Sequence, residues 1–314
     1  MSALWIFAVV FLVGAVSVRP LIALLRSLEY HQYAYEDAPS THAVKTGTPT
    51  MGGLLFLLAL VAVIPFAHDR FALTVIVAGL GCGVVGFLDD LVKVRGGRNR
   101  GLRARVKFLA SIVVALLVAL SAIGFSHGAN FVLQAMSLHL FVPTAWFFVL
   151  AVLALIATTH SVNLTDGLDG LAGGCIVPPL LVTAWWAYRA GMFGVLNVDA
   201  AVLAAVCAFL IYNRYPAKIM MGDVGSLALG GVLAATTIVL GNVLLLPLIG
   251  GVFVAETLSV IIQVSSFKRT GKRIFRMSPL HHHFELGGMP ERTVTHRFWI
   301  ASTLFALVGT AVTR

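Results

Sequence analysis

Ten long runs of apolar residues, separated by shorter polar connections, dominate the sequence. Each run holds about 15–20 residues with few charged side chains, close to the roughly 20 residues that a transmembrane helix needs. The alternation of apolar and polar positions that is typical of a membrane β-barrel is missing from these runs. The first run has no basic leader and no clear cleavage site, so we expect a retained helix rather than a signal peptide. The predicted membrane-spanning helices cover about residues 2–18, 50–66, 71–88, 106–125, 143–159, 171–188, 198–212, 226–240, 248–265 and 298–312.

The composition agrees with a membrane protein. Of the 314 residues, 59% are hydrophobic and 11% are charged, and the mean hydropathy is +0.95. Soluble domains are about 45–50% apolar and about 25% charged, so a soluble enzyme, a disordered chain and a disulfide scaffold are excluded. The three cysteines lie in apolar runs and are interpreted as small core residues. We predict an all-α integral membrane protein with a single polytopic domain over residues 1–314, because no polar stretch is long enough to fold alone.

The basic residues fall on alternate connections, which predicts an orientation. Five connections contain all but three of the 22 Lys and Arg residues, if Lys107 at the edge of one connection is included. Cytoplasmic loops are rich in Lys and Arg, so we expect these five to be cytoplasmic and both termini to be periplasmic or extracellular. A net charge of +9 in such loops predicts contact with an anionic leaflet, and no nucleic-acid partner is expected. The predicted cytoplasmic loops cover about residues 19–49, 89–105, 160–170, 213–225 and 266–297.

Five aspartates occur at predicted helix ends on the cytoplasmic side, namely Asp89, Asp90, Asp166, Asp169 and Asp223. Charges at membrane depth are costly, and several carboxylates at one depth repel each other unless a cation lies among them. The surrounding loops are basic, so a divalent metal with an anionic substrate fits better than a cationic substrate. Oxygen ligands favour Mg²⁺ or Mn²⁺ over zinc. The alternative is that these acids only form ion pairs with neighbouring Lys and Arg residues.

Two motifs add asparagines to the aspartates. In Asn163-Leu-Thr-Asp166-Gly-Leu-Asp169, the two acids are three residues apart and are predicted to share one helix face, where they suit hydroxyl groups, a base edge or a metal. The alternative is helix capping by Asp166 beside a glycine-packed seam. Asp223 precedes an apolar helix, which alone is an N-cap pattern. Asn213 and the glycines around Asp223 go beyond what a cap requires.

The predicted cytoplasmic side also carries lysine and histidine residues that suit an anionic substrate. Lys45 stands just before a predicted helix, where it could meet a phosphate, and Lys107 opens another helix. The three histidines His281–His283 stand beside Glu285 in the last and most basic loop. Consecutive residues rarely all reach one ion, so phosphate contact or proton transfer is favoured over a zinc site.

In this order, the motifs resemble those of the polyprenyl-phosphate N-acetylhexosamine-1-phosphate transferase superfamily. The segment Ser278-Pro-Leu-His-His-His-Phe-Glu285, together with Arg297-Phe-Trp-Ile300, resembles the branch that uses a UDP-MurNAc-pentapeptide donor. Related GlcNAc-1-phosphate transferases have a different histidine motif at this place. The resemblance covers about residues 42–299, and one departure is Met289, where many members carry Trp.

The resemblance implies an enzyme that transfers phospho-MurNAc-pentapeptide from UDP-MurNAc-pentapeptide to undecaprenyl phosphate. The products would be lipid I and UMP, in the first membrane step of peptidoglycan synthesis. The resemblance also implies Mg²⁺ as cofactor, the bacterial inner (cytoplasmic) membrane as location and a homodimer as the usual assembly. The nearest alternative is a sibling transferase that uses UDP-GlcNAc. A more distant alternative is a transporter, which would place acids near the membrane midplane rather than at one face.

The family pattern further implies roles for the matching residues. Asp223, with Asn163 assisting, would hold Mg²⁺. Asp89, with Asp90 as its partner, would act as base or nucleophile at the lipid phosphate. A phosphate monoester has a second pKa of about 6, so the acceptor needs little help from a base, which favours direct displacement over a covalent intermediate. The residues implied to hold the uridine and diphosphate are Asp166, Asp169, Asn213 and Lys45. The residues implied to support phosphate or sugar are Lys107, His281, His282 and His283.

Overall fold

The computed structural model describes residues 2–31, 47–96, 101–123, 128–133 and 138–313, and side chains are described in these ranges except in 128–133 and 138–140. The described chain is a bundle of α-helices with one small β-hairpin. A short 3₁₀-helix at Ile64–Phe66 continues the second α-helix, and another at Val243–Leu245 precedes the ninth. In chain order the elements are α1 (Ala3–Ser27), α2 (Leu54–Val63), α3 (Arg70–Arg95), α4 (Ala104–Ile123), β1 (Gly128–Leu133), β2 (Leu138–Pro143), α5 (Thr144–Thr165), α6 (Leu171–Arg189), α7 (Phe193–Asn213), α8 (Gly222–Val239), α9 (Leu246–Ile249), α10 (Gly251–Thr270), α11 (Leu280–Glu285) and α12 (Glu291–Val312).

Eight helices of the described chain are long and apolar enough to cross a membrane, namely α1, α3, α4, α5, α6, α7, α8 and α10. The protein is therefore a mainly helical, multi-pass membrane protein, as the apolar runs predicted. Two further predicted spans coincide with α2, which is shorter, and with the second part of α12, whose first turns carry charged residues. The count of ten spans and the orientation of the termini stay predictions.

Helix α8 lies in the middle of the bundle. Every residue from Val224 to Ile238 is buried, and α8 packs against both α3 and α5. A helix that is apolar all round is typical of a span enclosed by other protein segments. Gly86 allows α3 to approach α8 closely, because a Cβ there would lie 2.6 Å from the backbone nitrogen of Val224 and closer still to the carbonyl group of Asp223. The two helices thus meet backbone to backbone at the level of their aspartates.

The last long helix, α12, is tied by side-chain hydrogen bonds to backbone carbonyls of α6 and of the turn before it. Thr295 Oγ1 donates to the carbonyl of Asp169 at 3.3 Å, and Trp299 Nε1 donates to that of Gly170 at 3.0 Å. Ser302 Oγ donates to the carbonyl of Cys175 at 2.7 Å. Residue 179 is a proline and has no N–H for that carbonyl, so the serine hydroxyl supplies the missing donor.

Several helices continue beyond their predicted ends. Asp89 and Asp90 were predicted at a helix end, but they lie inside α3, which continues to Arg95. The predicted loops 19–49 and 266–297 likewise contain the last turns of α1, all of α11 and the beginning of α12. The predicted helix end at Asp89 and Asp90 was wrong because helical hydrogen bonds do not depend on apolar side chains, so a helix can extend past the apolar run that identified it. The assignment of the two loops to the cytoplasmic side stays a prediction.

A two-stranded antiparallel hairpin connects α4 to α5. Its register runs from Gly128 paired with Pro143 to Leu133 paired with Leu138. The hairpin lies in the connection between two predicted spans, so it adds a small β element to a mainly helical chain. Short apolar runs with aromatic and β-branched residues fit a strand as well as a helix, so periodicity alone does not distinguish the two.

Candidate active site

Three predicted site residues, Asp89, Asp90 and Asp223, meet where α3 and α8 touch. Each offers one carboxylate oxygen, and these oxygens lie within 4.8 Å of one another. Asp89 Oδ1 accepts a hydrogen bond from the backbone N–H of Leu102 at 2.9 Å. Asp90 Oδ2 accepts one at 3.0 Å from Val224 N–H in the first turn of α8, where the helix dipole also favours an anion. The sequence prediction that acids from separate motifs collect in one place is confirmed for these three residues.

Two lysines contact this acid cluster, which we define as Asp89, Asp90 and Asp223. Lys93 Nζ lies 2.7 Å from Asp89 Oδ2, 2.9 Å from Asp223 Oδ2 and 3.5 Å from Asp90 Oδ1. Lys107 Nζ contacts Asp223 Oδ2 and lies 3.8 Å from Asp89 Oδ2. Three carboxylates and two ammonium groups leave one net negative charge. Lys93 was missing from the predicted site residues, although its position four residues after Asp89 on one helix face was a usable signal.

Asn163 forms the α5 side of the acid cluster. Its amide nitrogen donates to Asp223 Oδ1 and to Ser226 Oγ, each at 2.9 Å, and its amide oxygen accepts from Lys107 Nζ at 3.4 Å. The predicted neighbourhood of Asn163 and Asp223 is therefore present. The two residues are sixty positions apart in the chain, and they meet because α5 packs on α8.

The chemistry of these side chains fits a divalent metal. The acid cluster and the amide oxygen of Asn163 present hard oxygen donors, which Mg²⁺ and Mn²⁺ prefer. Among the described residues, this cluster is the group of acids, histidines or cysteines that is compact enough to hold an ion. The ammonium groups of Lys93 and Lys107 contact the same oxygens and offset two of the three carboxylate charges.

The turn between α5 and α6 carries the next pair of predicted residues. Asp166 is the C-cap of α5, and Asp169 lies in the turn, so the prediction that they share one helix face was wrong. Asp169 Oδ2 accepts from the backbone N–H of Ala217 at 2.9 Å. Asn213 bridges the same two segments, since its Oδ1 accepts from Gly170 N–H at 3.1 Å and its Nδ2 donates to Ile219 O at 2.9 Å. Both residues thus hold the turn against the segment before α8.

The three histidines point to different partners. His281 is fully buried, and Glu256 Oε1 of α10 accepts from its backbone N–H at 3.2 Å and lies 3.1 Å from its Nδ1. The His281 ring packs against Gly167, where a Cβ would lie 2.9 Å from its Cε1 atom, so the histidine touches the turn that carries Asp166. Glu256 was not predicted as a site residue, although a carboxylate inside an apolar run was a signal for a buried partner.

The remaining predicted residues are placed as follows. His282 Nδ1 lies 3.1 Å from Glu285 Oε2, and His283 Nδ1 accepts from Arg276 N–H at 3.2 Å. The nearest polar partners of the three imidazole rings are therefore three different residues. Lys45 lies outside the described residues, and its substrate contact stays a prediction.

Comparisons with known proteins identify the family of the chain. A profile described as Glycosyl transferase family 4 matches residues 72–241, and a profile described as Phospho-N-acetylmuramoyl-pentapeptide-transferase signature 1 matches residues 45–57. The phospho-N-acetylmuramoyl-pentapeptide-transferases of Desulforamulus reducens and Heliobacterium modesticaldum are each 47% identical to the chain, over 98% and 97% of it and 95% and 96% of their own lengths. The protein of the same name from Geobacillus kaustophilus is 43% identical over 96% of the chain and 95% of its own length. A profile over more than half of the chain and relatives that match nearly all of it show that this membrane transferase belongs to the phospho-N-acetylmuramoyl-pentapeptide-transferase family.

Proposed function

We propose that the chain transfers phospho-MurNAc-pentapeptide from UDP-MurNAc-pentapeptide to undecaprenyl phosphate, releasing UMP and forming lipid I in the bacterial inner membrane. Family membership supports the donor and the reaction. The observation that carries the proposal is the acid cluster with its two lysines at the contact of α3 and α8. An apolar groove runs along α5, the helix that carries Asn163. A phosphoryl transfer between a soluble nucleotide and a lipid needs charged and apolar surfaces side by side.

The groove is lined by α5, α8 and the segment from Val243 to Val254. It has a volume of about 260 Å³, and its α5 wall extends from Leu150 to Ser161, a distance of about 16 Å along a helix. The wall is apolar except for Thr158 and Ser161 at one end. Ser161 lies about 3 Å along the helix axis from Asn163, which contacts Asp223 from another face of α5. We propose that a polyprenyl chain uses this groove and that its phosphate crosses from the Ser161 end to the acid cluster.

The charged side chains suit two anionic substrates. Lys93 and Lys107 lie at the acid cluster, where each can transfer a hydrogen bond from a carboxylate to a phosphate oxygen. Mg²⁺ held by Asp223, Asp89 or Asp90 and Asn163 would neutralise charge on the donor diphosphate as its bridging bond breaks. The basic loops raise the local concentration of both substrates.

We assign Asp89 a positioning role at the acceptor phosphate in a direct displacement. The acceptor monoester is mostly dianionic near pH 7, so the reaction asks little of a general base. Asp89 is fixed by Leu102 N–H and by Lys93, which keeps its second oxygen facing the lysines. We expect no UMP release from enzyme and donor when the lipid acceptor is rigorously removed. A stoichiometric burst of UMP, with sugar phosphate retained on the protein, would contradict direct displacement and support a covalent intermediate.

The proposed function is tested with the purified protein in detergent. We expect UMP release only when UDP-MurNAc-pentapeptide and undecaprenyl phosphate are both present, with loss of activity on chelation and recovery on addition of Mg²⁺. UDP-GlcNAc is the matched donor control. Turnover of UDP-GlcNAc but not of UDP-MurNAc-pentapeptide would establish the sibling activity instead. Absence of UMP release with either donor would reject a transferase and leave transport, which needs a sealed membrane.

A further inference from the structure

A second cavity lies between α7 and α12, away from the acid cluster. Its volume is about 640 Å³, and none of the three clustered aspartates or their two lysines lines it. Its walls come from the last turns of α7, the residues just after α7 and the first turns of α12, with Asp169 from the turn before α6.

The polar rim of this cavity is cationic. The side chains of Arg214 and Arg292 are exposed, and neither guanidinium forms an ion pair or a hydrogen bond with any residue that the structure describes. His296 is also exposed, and its ring lies 5.4 Å from the ring of Trp299. Asp169 is the carboxylate in the lining, and its Oδ2 already accepts a backbone N–H. Two guanidinium groups that face one cavity without acidic partners form a site for an anion, most favourably a phosphate.

The other wall of the cavity is apolar. Leu210 and Ile211 line it, and Ile211, three residues before Arg214, is 45% exposed. Both residues lie at the end of α7, which is a candidate membrane span, so the cavity stands at a boundary between apolar and polar zones. Trp299 and Tyr215 are of the amphipathic types that concentrate at such boundaries.

We propose that this cavity binds the headgroup of an anionic phospholipid. The phosphate contacts Arg214 and Arg292, and an acyl chain follows Leu210 and Ile211 along α7. Basic pockets between transmembrane helices bind anionic headgroups, and here an apolar wall continues from the basic rim. A soluble phosphate would satisfy the two arginines but would leave that apolar wall exposed, which is why a lipid is the better occupant.

The position of this lipid site also connects it to the predicted donor residues. Thr295 and Trp299, which line the cavity, donate hydrogen bonds to the carbonyls of Asp169 and Gly170. An occupied cavity restrains these side chains and with them the turn between α5 and α6. Lipid binding itself requires neither donor nor acceptor substrate, so it can be tested independently of the proposed function.

The experiment measures lipid binding by the delipidated full-length protein in detergent. Dioleoyl phosphatidylglycerol is titrated against dioleoyl phosphatidylcholine, with bound lipid counted by native mass spectrometry and Tm recorded in parallel. We expect phosphatidylglycerol to bind and to raise Tm, and the double variant Arg214→Gln, Arg292→Gln to bind it about 30-fold more weakly. The charge-matched control is Lys268→Gln, Arg269→Gln, at exposed positions at the end of α10. The variant Arg214→Lys, Arg292→Lys should retain most of the binding.

Three results would overturn the proposal. Equal loss in the Lys268 and Arg269 control would mean that phosphatidylglycerol responds only to overall charge. Stabilisation by inorganic phosphate or UMP that depends on Arg214 and Arg292, without an effect of phosphatidylglycerol, would make the cavity a soluble-anion or nucleotide site. Unchanged phosphatidylglycerol binding in the Arg214→Gln, Arg292→Gln variant would remove the two arginines from the site.

Discussion

Replacing Gly86 by alanine tests whether the contact between α3 and α8 sets the spacing of the acid cluster. A Cβ at Gly86 would lie 2.6 Å from Val224 N and nearer to the Asp223 carbonyl, both of which are backbone atoms that cannot rotate away. Ordinary contact therefore requires α3 and α8 to separate by about 1 Å, and a misplacement of this size can reduce turnover about 100-fold. Overpacking of this kind costs about 1–3 kcal/mol, partly offset by the roughly 1 kcal/mol by which alanine favours a helix over glycine. We expect a small loss of stability and a large loss of activity.

The matched control for this variant is Gly81→Ala on the same helix. A Cβ at Gly81 would meet only side-chain atoms of Val114, at 3.1 Å, and these can shift. The assay is UMP release at saturating substrates, with Tm and size-exclusion profiles to show that both variants fold. If Gly86→Ala and Gly81→Ala turn over equally fast, the argument that this backbone contact positions Asp89 and Asp90 against Asp223 is refuted.

Four further outcomes follow from the geometry of the site. Asp223→Asn should abolish UMP release in a folded protein, because it removes one of few anionic ligands from the proposed metal position. Near-normal activity at saturating Mg²⁺ would reject Asp223 as a metal ligand. Lys93→Met should lower kcat about 100-fold, because it removes an ammonium group from the acid cluster. The control is Lys218→Met at an exposed position, which should retain activity. Equal rates of the two variants would show that the Lys93 contacts are dispensable. Glu256→Ala should lower activity more than Glu256→Gln, which keeps an oxygen acceptor for His281; equal losses would indicate that only side-chain volume matters. A single cysteine at Lys272, in a cysteine-free background, should resist an impermeant reagent in intact cells, and ready labelling would contradict the predicted orientation.

The sequence was most informative about the charged residues that lie in or next to apolar segments. Asp89, Asp90 and Asp223 stand out because carboxylates are rare in such apolar surroundings, and the structure brings all three together. The spacing of Lys93 from Asp89 was a usable signal, but a lysine near a helix end is also an ordinary feature of a membrane surface, so the sequence did not single it out. Glu256 was equally visible as an acid inside an apolar run, but its partner His281 is twenty-five positions away and is identified only by the fold.

The local backbone conformation was harder to predict from the sequence than the identity of the residues that form the site. The spacing of Asp166 and Asp169 fits one helix face, but α5 ends at Thr165, and Gly170 adopts a left-handed conformation that begins α6 separately. The hairpin of β1 and β2 escaped prediction because its short apolar runs satisfy either secondary structure. In both cases tertiary packing decides between local conformations that the sequence alone permits.

The hydrogen bonds from α12 have a consequence for biogenesis. Thr295, Trp299 and Ser302 belong to a helix that is synthesised well after α6, yet they donate to carbonyls of residues more than a hundred positions earlier. Until α12 has inserted, the turn that carries Asp169 lacks these donors, and so does the carbonyl left unpaired by the proline of α6. A nascent chain that already contains the whole acid cluster therefore still lacks these hydrogen bonds at the turn between α5 and α6. The turn that carries Asp169 therefore reaches its final set of hydrogen bonds only when α12 has inserted beside α6.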